Sequence, residues 1–190
     1  MPIISVDKFA IPGPARLQLK RAGDERGWFS ETWNAKDWLE AGLSEEKWVQ
    51  DNHAFSAERG TTRGLHFQAP PHAQAKLIQV IRGRIFDAIV DLRTGSPTFG
   101  QSVCLELSSD APQAFYVPVG FAHGYQTLAP DTLVYYKVTD YYAPQTEGGL
   151  LWNGKAVGVD WPMKQDVTLS KRDHDWPDLD TLASPFQYLA

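Results

Sequence analysis

At 190 residues, 43% of them hydrophobic and 22% charged, the chain suits one ordinary globular domain with a substantial core, and nothing in its length asks for a second. A formal net charge of −5 argues against nucleic acid or a membrane surface as partner, since either needs a dominant basic face; an anionic small ligand would need a local basic pocket. No basic segment runs into a long apolar one near Met1, and no later stretch approaches the roughly 18 apolar residues of a membrane span, so a cytoplasmic protein is expected. Cys104, the only cysteine, leaves no material for an internal disulfide or a thiolate metal cluster.

In chain order, residues 16–20 alternate as a half-buried strand does, Gly23-Asp24-Glu25-Arg26-Gly27 reads as a turn, and residues 28–33 resume as a strand. Asn34 is placed to cap a helix over residues 35–41 that Gly42 ends. Strands are expected around 47–52, 62–68, 75–82, 84–92, 100–107, 114–117, 122–128 and 132–139, with tight hairpin turns at Gly83 and at Asn153-Gly154. About nine short strands without a repeated βαβ pattern predict an all-β antiparallel sandwich or jelly-roll barrel. Its core is expected over about residues 44–160 of a single domain spanning 1–190. The N-terminal strands pack on it, as does a C-terminal tail of short helix and loop.

Arg63-Gly64-Leu65-His66-Phe67-Gln68 stands out. Strict alternation puts Arg63, Leu65 and Phe67 on one face and Gly64, His66 and Gln68 on the other, so the imidazole projects beside a glycine and an amide. The hexapeptide alone leaves two readings open: a core histidine satisfied by one hydrogen bond, or a group that meets a ligand. Further on, Pro118-Val119-Gly120-Phe121-Ala122-His123-Gly124 resembles the second signature of the cupin jelly rolls. The His-x-His pair with which many cupins bind a metal is missing: no two of His53, His66, His72, His123 and His174 are two apart. A site built from His66, His72 and His123 is conceivable, but acid–base or hydrogen-bonding work by the inward histidines is the favoured reading, with no metal and no cofactor.

The resemblance then becomes specific. Asp24-Glu25-Arg26-Gly27 with Phe29 and Glu31, Gln50-Asp51-Asn52-His53, Arg63–Gln68 and Lys76 resemble the dTDP-4-dehydrorhamnose 3,5-epimerase family. So do Phe86-Asp87, Ser96-Pro97-Thr98-Phe99-Gly100, Gly120–Gly124, Tyr136-Lys137, Asp140-Tyr141-Tyr142, Glu147-Gly148-Gly149 and Leu169-Ser170-Lys171-Arg172-Asp173. The match runs in order from about residue 24 to 173. It implies a metal-free, cofactor-independent cupin-fold homodimer that inverts carbons 3 and 5 of a dTDP-4-keto-6-deoxy sugar. A relative that inverts only one carbon is the nearest alternative, and a metal-dependent or non-catalytic cupin a more distant one.

Carried over residue by residue, the resemblance implies that His66 is the general base, Asp173 the carboxylate that orients it, and Tyr136 the acid that reprotonates the opposite face. Lys76 is implied to stabilise the enolate oxygen, with Arg63 and His123 beside it. Arg26 would pair with the diphosphate; Glu31, Gln50 and Asn52 would read thymine and sugar; Phe29 and Tyr141 would stack on the base. Composition alone would leave Asp173 a solvated tail charge, Tyr136 a core or sheet tyrosine, and Lys76 open between surface and site.

Overall fold

Strands with one apolar face must cover it, and here they do so by stacking two sheets. The computed structural model describes residues 3–189. In chain order the elements are β1 (Ile3–Lys8), β2 (Ala15–Leu19), β3 (Ala22–Asp24), β4 (Gly27–Phe29), α1 (Ala35–Glu40), β5 (Gln50–Ser56), β6 (Thr62–Gln68), β7 (Lys76–Arg82) and β8 (Arg84–Asp91). They continue with β9 (Arg93–Thr94), β10 (Ser102–Ser108), β11 (Gln113–Val117), β12 (Phe121–Thr127), β13 (Thr132–Val138), β14 (Glu147–Gly149) and β15 (Phe186–Gln187). One antiparallel sheet has the order β1-β2-β11-β7-β13-β5 and the other β10-β8-β12-β6-β14. Together they form the cupin-like jelly roll that the strand pattern predicts.

Ile78, Val80, Ile89, Phe115, Phe121 and Val134 fill the space between the sheets. The outer faces are partly covered too. Trp38 of α1 packs with Leu17, Leu77 and Tyr116 on the six-stranded sheet; Leu150, Trp152, Trp161 and Phe186 pack on Leu65, Phe67 and Val90 of the five-stranded sheet. Hence β12 is buried along its whole length. Asn34 caps α1 by accepting from the amides of Lys36 and Asp37, and Gly42, at φ +72°, follows its end. The tail forms short 3-10 turns at Lys171–His174 and Leu179–Thr181.

Four expectations need correction. The strand expected over 28–33 is only Gly27–Phe29, paired with Ala22–Asp24 in a small hairpin outside both main sheets; its residues are all exposed, so no buried face extends it. The strand expected over 47–52 runs instead from Gln50 to Ser56, because its register against β13 pairs Val138 with Gln50 and Thr132 with Ser56. Asn153-Gly154 turns without flanking strands and packs against Asp178, whose Oδ1 would lie 2.4 Å from a Cβ at Gly154.

The fourth correction matters for function. Opposite β12, His66 faces His123 while Arg63 faces Tyr125, so β6 spends three residues where β12 spends two. The extra residue breaks the alternation, and Arg63 comes to the same cavity as His66 instead of the opposite face. The irregularity sits where two glycine backbones meet: a Cβ at Gly64, at φ +120°, would lie 2.5 Å from the Gly124 Cα and 2.8 Å from the His123 carbonyl oxygen. Gly64→Ala is therefore expected to cost roughly 3 kcal/mol or more and lower Tm by about 6 °C or more, measured by thermal unfolding.

Candidate active site

A cavity of about 330 Å³ lies between the sheets. The five-stranded sheet supplies Arg63, His66, His123 and Tyr125; the six-stranded sheet supplies Ala54, Lys76, Val134 and Tyr136; Thr168, Leu169, Ser170, Arg172 and Asp173 of the tail close one side. The catalytic set implied by the family resemblance, His66, Lys76, Tyr136 and Asp173, is thus gathered in one place with Arg63 and His123. Tyr136 enters and Tyr135 does not, in keeping with alternation; the Tyr135 ring instead meets His53 edge-on at 5.6 Å on the other face.

Asp173 is 1% exposed, and its Oδ1 lies 2.5 Å from His66 Nε2. Burial alone would raise its carboxyl, but the hydrogen bond and charge of His66, aided by Ser170 and Trp176, hold it below the usual carboxylate range. An ionised carboxylate only accepts, so the facing nitrogen, Nε2, carries the proton, and the lone pair of the neutral imidazole is on Nδ1. That fixes the orientation and tautomer of the ring. A second pair lies beside it: both oxygens of the buried Asp87 are 3.0 Å from His123 Nε2. Burial pushes His123 down, against the opposing pull of Asp87, and thereby favours the neutral ring.

Lys76 Nζ donates to the His66 carbonyl at 3.4 Å. Burial pulls Lys76 down to about 8, with Asp87 and Glu147 opposing the shift. The Tyr136 phenol is raised, chiefly by burial, so it keeps its proton at neutral pH. Arg63 lines the cavity while its Nη2 is anchored on the Phe55 carbonyl at 3.0 Å.

The six remaining candidates do not line this cavity. Arg26 and Phe29 line a separate concavity on the β3–β4 hairpin, and the Arg26 guanidinium pairs with Asp24 at 2.5 Å. Phe29 and Tyr141 are 74% and 65% exposed, and Glu31 accepts from Asn34 at 2.6 Å. Gln50 and Asn52 share the β5 face of cavity-lining Ala54; Gln50 Nε2 donates to Asn52, and its Oε1 accepts from the Tyr142 amide. His72, the conceivable third metal ligand, pairs instead with Asp140 at 3.2 Å. Among the described residues no three His, Cys, Asp or Glu are grouped to hold a metal ion.

Sequence reasoning gave no site role to Asp87, Arg172, Glu147 or Trp176. Asp87 had a signal, being a carboxylate in phase with Ile85 and Ile89 in the middle of a largely apolar strand. Arg172, paired with Glu147 at 2.5 Å, reads in sequence as one more basic tail residue.

An oriented imidazole and a proton-holding phenol on opposite walls, with a part-buried ammonium beside them, define a proton-transfer enzyme on a jelly-roll scaffold, of the isomerase class. The model of the dTDP-4-dehydrorhamnose 3,5-epimerase family matches residues 8–181. The enzyme of that name from Sinorhizobium fredii is 45% identical over 91% of this chain and 88% of its own length. The Bacillus anthracis enzyme, solved with TDP and PPi bound, superposes with a TM-score of 0.88 at 45% identity, over 92% of this chain and 98% of that one. A Legionella pneumophila dTDP-6-deoxy-D-glucose-3,5-epimerase in complex with dTDP-4-keto-L-rhamnose superposes with a TM-score of 0.92 at 37% identity, over 98% and 99% of the two chains. The chain belongs to the dTDP-4-dehydrorhamnose 3,5-epimerase family.

The Lys76 environment makes a pH prediction. Its ammonium is present below about pH 8 and is lost above it, so kcat/KM is expected to fall on an alkaline limb near pH 8. Lys76→Ala should lower kcat by roughly 10²-fold or more and abolish that limb; a pH–rate profile of both proteins checks this.

Proposed function

We propose that this chain inverts carbons 3 and 5 of dTDP-4-dehydro-6-deoxy-D-glucose, giving dTDP-4-dehydro-L-rhamnose. One observation carries the reading: His66 and Tyr136 project from facing sheets into one cavity. Packed sheets lie about 10 Å apart, room for a sugar ring with a group on each face. The hydrogens on carbons 3 and 5 are acidic because the carbon 4 ketone delocalises the resulting charge as an enolate. His66 Nδ1 takes such a hydrogen, and Asp173 stabilises the imidazolium that forms. The Lys76 ammonium stabilises the enolate oxygen, an effect worth on the order of 3 kcal/mol, with His123 beside it. Tyr136 then delivers its phenolic proton to the opposite face of the carbon. Each inversion leaves His66 with one proton more and Tyr136 with one fewer, and exchange with solvent resets both. No electron is transferred, so the chemistry asks for no redox cofactor.

We also propose a homodimer in a single-domain architecture. In support, the β3–β4 hairpin holds Arg26 and Phe29 away from their own cavity, with Trp28 62% exposed. A neighbouring subunit's nucleotide site would give these groups an anion and a base to meet. No helix among the described residues is long and apolar enough to cross a membrane.

His66→Asn should abolish deuterium uptake from heavy water at both carbons, read by NMR of the 4-keto sugar nucleotide, while the nucleotide still binds. Tyr136→Phe should wash deuterium in with retention and form little epimer; normal turnover by that variant would remove Tyr136 from its role. Exchange at one carbon alone in the wild-type protein would favour the single-carbon alternative. Exhaustive chelation is expected to leave the rate unchanged, and loss with recovery on adding a divalent ion would overturn the metal-free reading.

A further inference from the structure

We propose that Trp176 is a positioning residue for the His66–Asp173 pair, its indole N–H holding the carboxylate in the orientation that the imidazole needs. The inference rests on the reading of that pair as the proton-abstracting unit. Trp176 Nε1 donates to Asp173 Oδ1 at 3.4 Å, the same oxygen that meets His66 Nε2 at 2.5 Å. Two donors therefore converge on one oxygen, one from a barrel strand and one from the tail, and rotation of the carboxylate would break both. Asp173 is buried, so bulk water does not replace a donor that is lost.

The indole is itself seated. Its ring stands 6.2 Å from the His66 ring at 69°. Its other neighbour is Gly149, the residue opposite His66 in the β14–β6 ladder. A Cβ on Gly149 would lie 2.7 Å from Cδ2, Cε2 and Nε1 of the indole, so the glycine leaves the space that the ring occupies. The next residue, Pro177, is tied to the same region by its carbonyl, which accepts from the Leu151 amide at 2.8 Å. The ring thus lies between β14 and the carboxylate, touching both.

A hydrogen bond to an ionised carboxylate lowers its basicity, which keeps the shared proton on His66 Nε2 and the lone pair on Nδ1. Without the indole N–H the carboxylate becomes more basic, whether that is read as easier protonation of Asp173 or as tighter hold on the protonated imidazole. Both effects move the acid limb of activity to higher pH. A ring that served only as packing would leave the limb in place.

The test is Trp176→Phe, which keeps an aromatic ring against Gly149 and removes the donor. Deuterium exchange into the 4-keto sugar nucleotide is measured against pH, with thermal melting alongside. The expected result is a folded protein whose kcat is about three- to ten-fold lower, with KM within about two-fold of wild type and the acid limb of kcat/KM displaced upward. Wild-type kcat and an unmoved limb would overturn the proposal. If Trp176→Phe does not fold, Gly149→Ala provides the second arm: it keeps the indole but displaces it, and an unmoved limb in that variant would likewise overturn the proposal. His66→Asn is run in parallel, since exchange persisting there defeats the assignment of the base itself and not the part played by Trp176.

Discussion

The close approach of two main chains at Gly64 and Gly124 is the constraint from which the site follows. A side chain on Gly64 would collide with the backbone of β12, and one on Gly124 would come within 2.7 Å of the Arg63 carbonyl oxygen. With neither present, β6 can carry one residue more than β12 across this point. That extra residue turns Arg63 to the side of His66 and leaves His66 opposite His123. A regular ladder would have sent the guanidinium to the face that the tail covers, away from any substrate.

Charge is the second organising quantity. An isolated ion in an interior costs several kcal/mol, so the buried carboxylates beside this cavity come with partners: Asp173 with His66, and Asp87 with His123. Lys76 is held differently. It bonds to a neutral carbonyl, and Asp87 and Glu147 act on its charge without restoring the usual ammonium pKa. An under-compensated ammonium gains most from an anion arriving nearby, and an enolate oxygen is such an anion, formed only as the reaction proceeds. In the proposed reaction, the destabilisation of the resting ammonium is thus what favours the intermediate.

The tail completes what the barrel begins. Thr168 lies beside Thr61 in an isolated parallel bridge, and its carbonyl accepts from the Thr62 amide at 2.9 Å. Trp152, Trp161 and Phe186 bury the tail's apolar side chains on the five-stranded sheet. This docking delivers Asp173 to an imidazole 107 residues earlier in the chain and buries a carboxylate that would otherwise be solvated. The orientation of the His66 imidazole therefore depends on hydrophobic packing elsewhere in the tail.

Much of this was legible in the residues themselves. Alternation and turn signals were enough for an antiparallel all-β fold and for most central strands; Asn34 and Gly42 bracketed the helix; and alternation along Thr132–Val138 separated Tyr136 from Tyr135, because these are local properties of backbone geometry. The spaced motifs pointed to the family and, through the resemblance, to His66, Lys76, Tyr136 and Asp173, which the fold gathers around one cavity. What local pattern could not carry was set by contacts between distant segments. The side taken by Arg63 depends on a glycine in another strand, the bounds of β5 depend on its register with β13, and Asp173 reads as a solvated charge until the tail docks. Arg26 and Phe29 belong to the family motif, yet the hairpin that bears them packs away from the cavity. A sequence records which side chains are available and their local period; which of them share a cavity is decided by the long-range pairing and burial that only the folded chain makes.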